Sequence, residues 1–395
     1  MLLSKKIRLK PTPEQEVLFR KSAGVARWAY NYFLFENERV WQEYLANGKT
    51  GKKSISEGEI RRYINNVLKK TTHTWLKEVG SNVMKQAVKD ANTAFQNYFK
   101  GISDKPCYKS KHKTKLSFYV NYESLSRKNG GFHGEKIGFV RTSEPLPKLK
   151  KGEKYSNPHI SFDEKYWYLS FGYEATKIEC ELTGESIGID LGIKDLAVCS
   201  NGKVYRNINK CHEVKRLEKI LKREQRKLSR MLRQNILGYR TIGDKRFPVF
   251  IKPLYECRNF QKQKKTIKLL HRRLTNIRNN YLHQTTMDIV KTKPSRIVME
   301  TLNVKGMMKN KSVAKVIQEQ KFYEFKRQIA YKCQKYGIEL VEVPVFYPSS
   351  KTCSCCGCIK SDLKLSDRIY RCNSCGLVID RDFNASINLA TYQSV

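Results

Sequence analysis

Two Cys-x2-Cys pairs near the C-terminal end constrain this chain more than any other feature. Cys353 and Cys356 are followed, after fifteen residues, by Cys372 and Cys375. That spacing gathers four thiolates around one Zn²⁺ as a tetrahedral structural site, with no position left open for chemistry. Spacing alone leaves a second register, because Cys355 and Cys358 form an overlapping Cys-x2-Cys pair. Glycine favours the first register. Gly357 follows Cys356 as Gly376 follows Cys375, and a knuckle turn suits a residue that tolerates positive φ, whereas Cys358 is followed by Ile359. The zinc ligands read from the sequence are therefore Cys353, Cys356, Cys372 and Cys375, with Cys355 and Cys358 as bystanders or an exchanging ligand. The other six cysteines (Cys107, Cys180, Cys199, Cys211, Cys257, Cys333) are scattered singly. This distribution fits a reduced cytosolic protein with one metal site, not a disulfide scaffold.

Charge narrows the partners. The 395 residues carry 77 Lys+Arg against 37 Asp+Glu, a net charge of +40. Solubility needs far less, and such a chain repels itself unless a polyanion neutralises it. A hydrophobic content of 40% still supports packed cores, which excludes a disordered basic tail. The N-terminus, MLLSKKIRLKP, meets charge at Lys5 and lacks the apolar stretch of a signal peptide. No later run approaches the roughly 18 apolar residues of a membrane span. The expectation is a soluble, cytoplasmic, nucleic-acid-bound protein.

Organisation follows from pattern changes along the chain. Residues 4–10 read as a short strand. Thr12-Pro13-Glu14-Gln15 then gives a helix cap, a proline at the first helical position and a capping-box glutamine. Helical pattern runs to about Leu45. A linker (Asn47 to Ser56) leads to a second helical stretch ending near Lys100. The aromatics Phe19, Trp28, Tyr30, Phe33, Trp41 and Tyr44 read as bundle core in preference to base-stacking platforms. Residues 106–180 hold short β-rich runs, with a hairpin around Asp163-Glu164, and suggest a small barrel or sandwich that the isolated first strand completes. Residues 210–280 contain 22 Lys+Arg against five acids, a net +17. They read as two amphipathic basic helices joined by a breaker-rich loop (Gly238, Gly243, Pro248, Pro253). The one-signed excess points to phosphate contact. The remaining pattern is strand (295–301), helix (about 312–336), strand (IELVEVPVF), cysteine cluster and a closing helix, which implies an α/β sheet.

Three acids stand at the ends of these elements. Asp190 ends SIGID, Glu300 ends RIVME, and Asp382 opens the last helix in DRDFNAS. Carboxylates so placed can converge at a sheet edge and hold hard Mg²⁺ ions. Two such ions, roughly 4 Å apart, serve in-line phosphodiester hydrolysis. Taken singly, Asp190 also suits a turn, Glu300 a solvated strand end and Asp382 an N-cap. Asp195 and Asp380 read as solvent-facing or backbone-capping.

The runs GIDLGIKDLAV, IVMETLNVKGM and SSKTCSCCG…RCNSCGLVIDRDFNASINLA resemble the three RuvC-like motifs and zinc ribbon of transposon-encoded TnpB proteins, relatives of compact type V CRISPR effectors. KIRLKPTPEQ, AFQNYFKG at 94–101 and KPCYKSK at 105–111 are similar to that family's front half. The resemblance implies a multidomain α+β fold: a wedge-like β-barrel (1–10 and 106–182) with an inserted helical recognition domain (11–105). An RNase H-like (RuvC) α/β nuclease domain follows (183–349 and 379–395, with basic helices at 210–285), carrying an inserted zinc ribbon (350–378). It implies catalytic acids Asp190, Glu300 and Asp382 holding two Mg²⁺ (or Mn²⁺ in their place), and structural zinc on the four cysteines. The x-Asn-Ala that follows selects Asp382 over Asp380. The implied activity is Mg²⁺-dependent, guide-RNA-directed cleavage of double-stranded DNA beside a short target-adjacent motif, in the cytoplasm of a prokaryote and at its nucleoid. The alternatives are a guided DNA-binding repressor that does not cut and a compact CRISPR effector. Departures from the family pattern are Cys355, Cys358 and Tyr108, where the family often has Phe.

Overall fold

A computed structural model describes residues 1–393 apart from Leu365. Ser394 and Val395, the end of the expected 379–395 segment, lie outside the described residues. The chain divides into two compact units, Leu2–Ala175 and Thr176–Val395. Among the described residues no helix is long and apolar enough to cross a membrane.

In the first unit, strand β1 (Leu2–Lys10) alternates, burying Ile7 and Leu9. The Thr12–Gln15 capping box then starts helix α1 (Pro13–Ala46), with Gln15 N donating to Thr12 Oγ1 at 3.3 Å and Thr12 N to Gln15 Oε1 at 3.0 Å. The second helical stretch is broken: α2 (Glu57–Tyr63) passes through a π turn and a 3₁₀ segment before α3 (Ser81–Phe99). Strands β2 (Ser117–Tyr119), β3 (Ser126–Lys128), β4 (Gly131–Gly134), β5 (Gly138–Thr142), β6 (Ser156–Phe162) and β7 (Trp167–Glu174) follow. They form one antiparallel sheet in the order β2-β6-β7-β1-β5-β4-β3. β1 completes it from the middle, pairing through residues 2–8 with β7 and through 9–10 with β5. The end strands β2 and β3 do not pair with each other, so backbone bonds do not close the sheet into the expected barrel. The β6–β7 turn falls at Asp163-Glu164, where Asp163 Oδ1 accepts from Tyr166 N at 2.9 Å. Phe19, Tyr30 and Phe33 of α1 are buried with Ala87 and Val88 of α3 and with Ile7, Trp167 and Leu169 of the sheet, in a single core. Trp41, read as core, is 42% exposed.

The second unit is built on strands β8 (Thr183–Leu191), β9 (Asp195–Cys199), β10 (Val204–Arg206), β13 (Pro294–Glu300) and β14 (Glu339–Val343), ordered β10-β9-β8-β13-β14. β8, β9 and β10 are antiparallel neighbours, while β13 runs parallel to both β8 and β14. Helices α4 (His212–Gln234) and α5 (Arg258–Lys291) flank a hairpin of β11 (Ile236–Ile242) and β12 (Lys245–Phe250) where the sequence suggested only a loop. The short α6 (Val304–Met307) precedes α7 (Lys311–Gln320) and α8 (Phe322–Tyr336), which the sequence pattern had joined. They part at Lys321, held at φ 57° while its Nζ donates to Asn279 Oδ1 at 2.6 Å. Strands β15 (Ile369–Arg371) and β16 (Val378–Asp380) belong to the cysteine-rich ribbon, and α9 (Arg381–Ala390) closes the chain. Ile187, Ile189, Ile297 and Met299 of the sheet meet Ile289, Phe325 and Ile329 of the helices in the core.

Candidate functional site

β8 and β13 are parallel with Ile189 opposite Met299, so Asp190 and Glu300 emerge side by side at the carboxyl ends of adjacent strands. Such sheet ends collect ligand-binding groups in α/β proteins. The pair is tied together: Leu191 N donates to Glu300 Oε1 at 3.1 Å. The third acid arrives on α9, which lies across β8. Gly188 permits that approach, because a Cβ there would sit 2.0 Å from Ser386 O and 2.4 Å from Ala390 N. Asp380 is the N-cap of α9, accepting from Asp382 N at 2.9 Å and Phe383 N at 3.1 Å, as its position suggested. Asp382, one residue into the helix, is left for the site. Asp195 lies at the start of β9 with Lys194 Nζ at 4.0 Å.

Three acids in one half-buried site repel. Burial raises the Asp190 carboxyl well above the carboxylate range, and the neighbouring Glu300 and Asp382 raise it further. Burial likewise pushes Glu300 up to about 7, against the pull of the Leu191 N–H and with a further push from Asp382. Two arginines that the sequence reading passed over answer this charge. Arg381 donates to Asp382 Oδ1 through Nη2 at 2.9 Å and Nε at 3.1 Å, and Arg368 Nη1 stands 4.0 Å from Asp382 Oδ2. The signal for Arg381 was its place beside Asp382 in DRD. Arg368 lies on the ribbon, far enough away in sequence that no local pattern marks it. Hard oxygen donors in a site where burial and neighbouring charge oppose the ionisation of Asp190 and Glu300 fit a divalent cation.

A stability effect follows, and its sign is fixed. A carboxyl with a raised native pKa holds its proton in the folded state and releases it on unfolding. Its contribution to stability is therefore present below the ordinary pKa of about 4.5 and lost as pH rises through about 7. Glu300→Gln lacks this loss. In magnesium-free buffer its unfolding free energy, relative to wild type, should rise between pH 5.5 and pH 8, by up to about 2 kcal/mol. Parallel midpoints at the two pH values would show that Glu300 ionises freely.

The ribbon gathers the cysteines in the register that glycine favoured. The sulfurs of Cys353, Cys356, Cys372 and Cys375 all lie within 4.8 Å of one another. Cys353 Sγ is 3.6 Å from Cys375 Sγ, and Cys356 Sγ 3.5 Å from Cys372 Sγ. Tetrahedral thiolates at the usual zinc–sulfur distance are about 3.8 Å apart, so the set can hold zinc. Gly357 and Gly376 take φ of 75° and 73°, and their N–H groups close matching turns onto Cys353 O and Cys372 O. Cys372 is held down to about 6 by the N–H groups of Cys375 and Ser374. Cys355 and Cys358 are exposed outside the set. Among the described residues no other group of three or more cysteines, histidines and acids is gathered as a metal site. The three acids interact without being drawn together that tightly, with Asp382 bound to Arg381.

Buried asparagines of α9 fix this ribbon. Asn384 Nδ2 donates to Thr352 O at 2.7 Å and its Oδ1 accepts from Ser354 N at 3.0 Å. Asn388 Nδ2 donates to both Ser349 O and Thr352 O at 2.7 Å. One helix thus carries both Asp382 and the clamp on the first cysteine knuckle.

The comparisons with known proteins cover the same elements. The IS605 OrfB "Helix-turn-helix domain" matches residues 1–46, although those residues form β1 and a single long helix. The IS605 OrfB family described as "Probable transposase" matches 170–311, and the "Cas12f1-like, TNB domain" matches 322–389. TnpB-like protein L770 of Acanthamoeba polyphaga mimivirus is 25% identical, over 98% of this chain and 72% of its own length. The chain is thus similar to TnpB proteins along nearly its whole length. Two relatives bear the name "Putative RNA-guided DNA endonuclease". One, from Streptomyces pristinaespiralis, is 29% identical over 97% of this chain and 87% of its own length. The other, InsQ of Escherichia coli K12, is 27% identical over 97% and 90%. Among solved structures, Cas12f1 in a complex with sgRNA and target DNA aligns with a TM-score of 0.55 at 15% identity, over 99% of both chains. The chain therefore has the multidomain α+β fold of Cas12f1.

Proposed function

We propose that this chain is an RNA-guided DNA endonuclease of RNase H-like (RuvC) type, which binds a guide RNA and cuts matched double-stranded DNA beside a short target-adjacent motif in the prokaryotic cytoplasm. One observation carries the reading: Asp190 and Glu300 end two adjacent parallel strands beside Asp382 at a helix start, and burial together with the charges of Glu300 and Asp382 raises the Asp190 carboxyl. The names of the TnpB relatives support it.

In this reading residues 183–349 and 379–393 are the nuclease and 350–378 its ribbon. Residues 1–10 and 106–182 form the wedge, with 11–105 inserted. Asp190, Glu300 and Asp382 would hold Mg²⁺ or Mn²⁺. Bound, these cations activate a water and stabilise the leaving oxygen of the phosphodiester. The protein's own residues do the rest. Arg381 keeps Asp382 paired until a cation replaces it, and Gly188 lets α9 reach the strand ends. Lys222, Arg223, Arg226, Arg230 and Arg233 of α4 line one groove whose charge suits heteroduplex phosphates, while base pairing supplies sequence specificity. The test is a cleavage assay of the protein purified with its co-expressed guide RNA. Matched duplex should be cut in Mg²⁺ and mismatched duplex spared. Tight, guided binding with no cutting would replace the nuclease by a repressor.

A further inference from the structure

The β11–β12 hairpin is an unpartnered surface. It forms a sheet of its own, and among the described residues no third strand pairs with it. Isolated two-stranded hairpins are marginal in water, yet this one shows apolar side chains on both faces. The register places Arg240 opposite Phe247 on one face, and Tyr239 opposite Pro248 on the other. Leu237, Tyr239, Ile242 and Phe247 are 73%, 57%, 57% and 42% exposed. A clamp at its neck holds it in position: Asn235 donates to Lys252 O at 2.7 Å and accepts from Lys252 N at 3.1 Å, while Ile251 N donates to Asn235 O at 2.9 Å. Arg246 stacks its guanidinium 5.1 Å from the Tyr239 ring centre. The helices that carry the hairpin are densely basic: α4 holds nine Lys+Arg against three acids, and α5 nine against one.

We propose that this hairpin is a docking surface for unpaired nucleotides of the guide RNA's protein-held part. The inference rests on the reading of the chain as RNA-guided. Surrounding positive charge selects a polyanion. Exposed Tyr and Phe flanked by arginines suit bases splayed from a loop or bulge, which stack on aromatic and guanidinium planes. A two-stranded ribbon also fits a DNA major groove, but groove readers meet base edges with polar groups, and here the apolar side chains dominate. An apolar surface left bare between target encounters invites association with other chains. RNA carried permanently covers it, whereas target DNA is transient. The neck clamp fixes the surface before binding, which lowers the ordering cost.

The test is Tyr239→Ala/Phe247→Ala in the full chain, with guide-RNA affinity measured by filter binding and the contact mapped by photo-crosslinking. Each lost stack weakens binding by roughly 5- to 100-fold. The double variant should therefore bind guide RNA at least about tenfold more weakly, with its unfolding midpoint and zinc content unchanged, and wild-type crosslinks should map to unpaired RNA positions. Unchanged RNA affinity overturns the proposal. If target-DNA binding alone weakens, the occupant is DNA; if a wild-type dimer dissociates in the variant, it is a second copy. A variant that keeps wild-type affinity while the wild type binds RNA refutes the hairpin alone. A wild type that binds no RNA refutes the guided reading as well.

Discussion

Asp190→Asn should abolish cleavage, by on the order of 10³-fold or more, while leaving guide-RNA and matched-target binding within about twofold. Loss of one carboxylate from a shared cation site removes several kcal/mol of transition-state stabilisation. Asparagine keeps the side chain's size and one oxygen, so β8 and its pairing with β13 persist. It also replaces a carboxyl whose ionisation burial, Glu300 and Asp382 oppose by a neutral amide, so the magnesium-free protein should not lose stability. Binding should survive because the basic residues proposed to hold phosphates lie on α4 and α5 and not at Asp190. Single-turnover cleavage and equilibrium target binding, measured on the same preparation, separate the two. Cleavage at the wild-type rate in Asp190→Asn would sink the assignment of this site. Joint loss of cleavage and binding would make Asp190 a structural residue.

The parts legible in the sequence share a physical cause: the constraint is local. Cysteine knuckles are turns of a few residues, so Cys353, Cys356, Cys372 and Cys375 could be chosen over Cys355 and Cys358 from one glycine in each turn. Asp190 and Glu300 were legible because an apolar run that stops on an acid marks a strand end. What stayed hidden depends on distant partners. Lys321 breaks a helix whose periodicity runs on, and the left-handed backbone there is accompanied by a bond to Asn279, 42 residues earlier. The β11–β12 ribbon was read as a loop because Gly238 and Pro248 weaken the strand pattern, while cross-strand pairing decides it. The open end of the first unit's sheet depends on which strands do not meet, which no local pattern reports. Gly188 looked like part of a strand; only the close pass of α9 shows why a side chain is excluded.

Removing zinc should disable the nuclease from a distance. The ribbon's own core is small: Tyr370 with Cys353 and Cys372, flanked by Leu363, Leu377 and Ile379. So few apolar groups cannot hold about thirty residues folded, whereas a structural zinc supplies on the order of 10 kcal/mol. Cys372→Ser should therefore lose its metal and melt the ribbon. The consequence travels through α9. Asn384 and Asn388 would lose Thr352, Ser349 and Ser354 as partners, leaving buried amides unsatisfied at about 1–3 kcal/mol each. Arg368 would leave Asp382 with the ribbon. Asp382 then loses its fixed place beside Asp190 and Glu300, and cleavage should fall by roughly 10²-fold or more, since small displacements of a catalytic group carry penalties of that order. Residues 2–175 have a separate core and should keep their hydrogen-exchange protection while 349–393 lose theirs. Cys355→Ser/Cys358→Ser should retain zinc and activity, because both thiols face solvent outside the cluster. Metal content by mass spectrometry, read beside cleavage and exchange, decides the matter: a Cys372→Ser protein that keeps zinc and cuts normally would show that Cys355 or Cys358 can take a ligand's place and that α9 does not depend on this register.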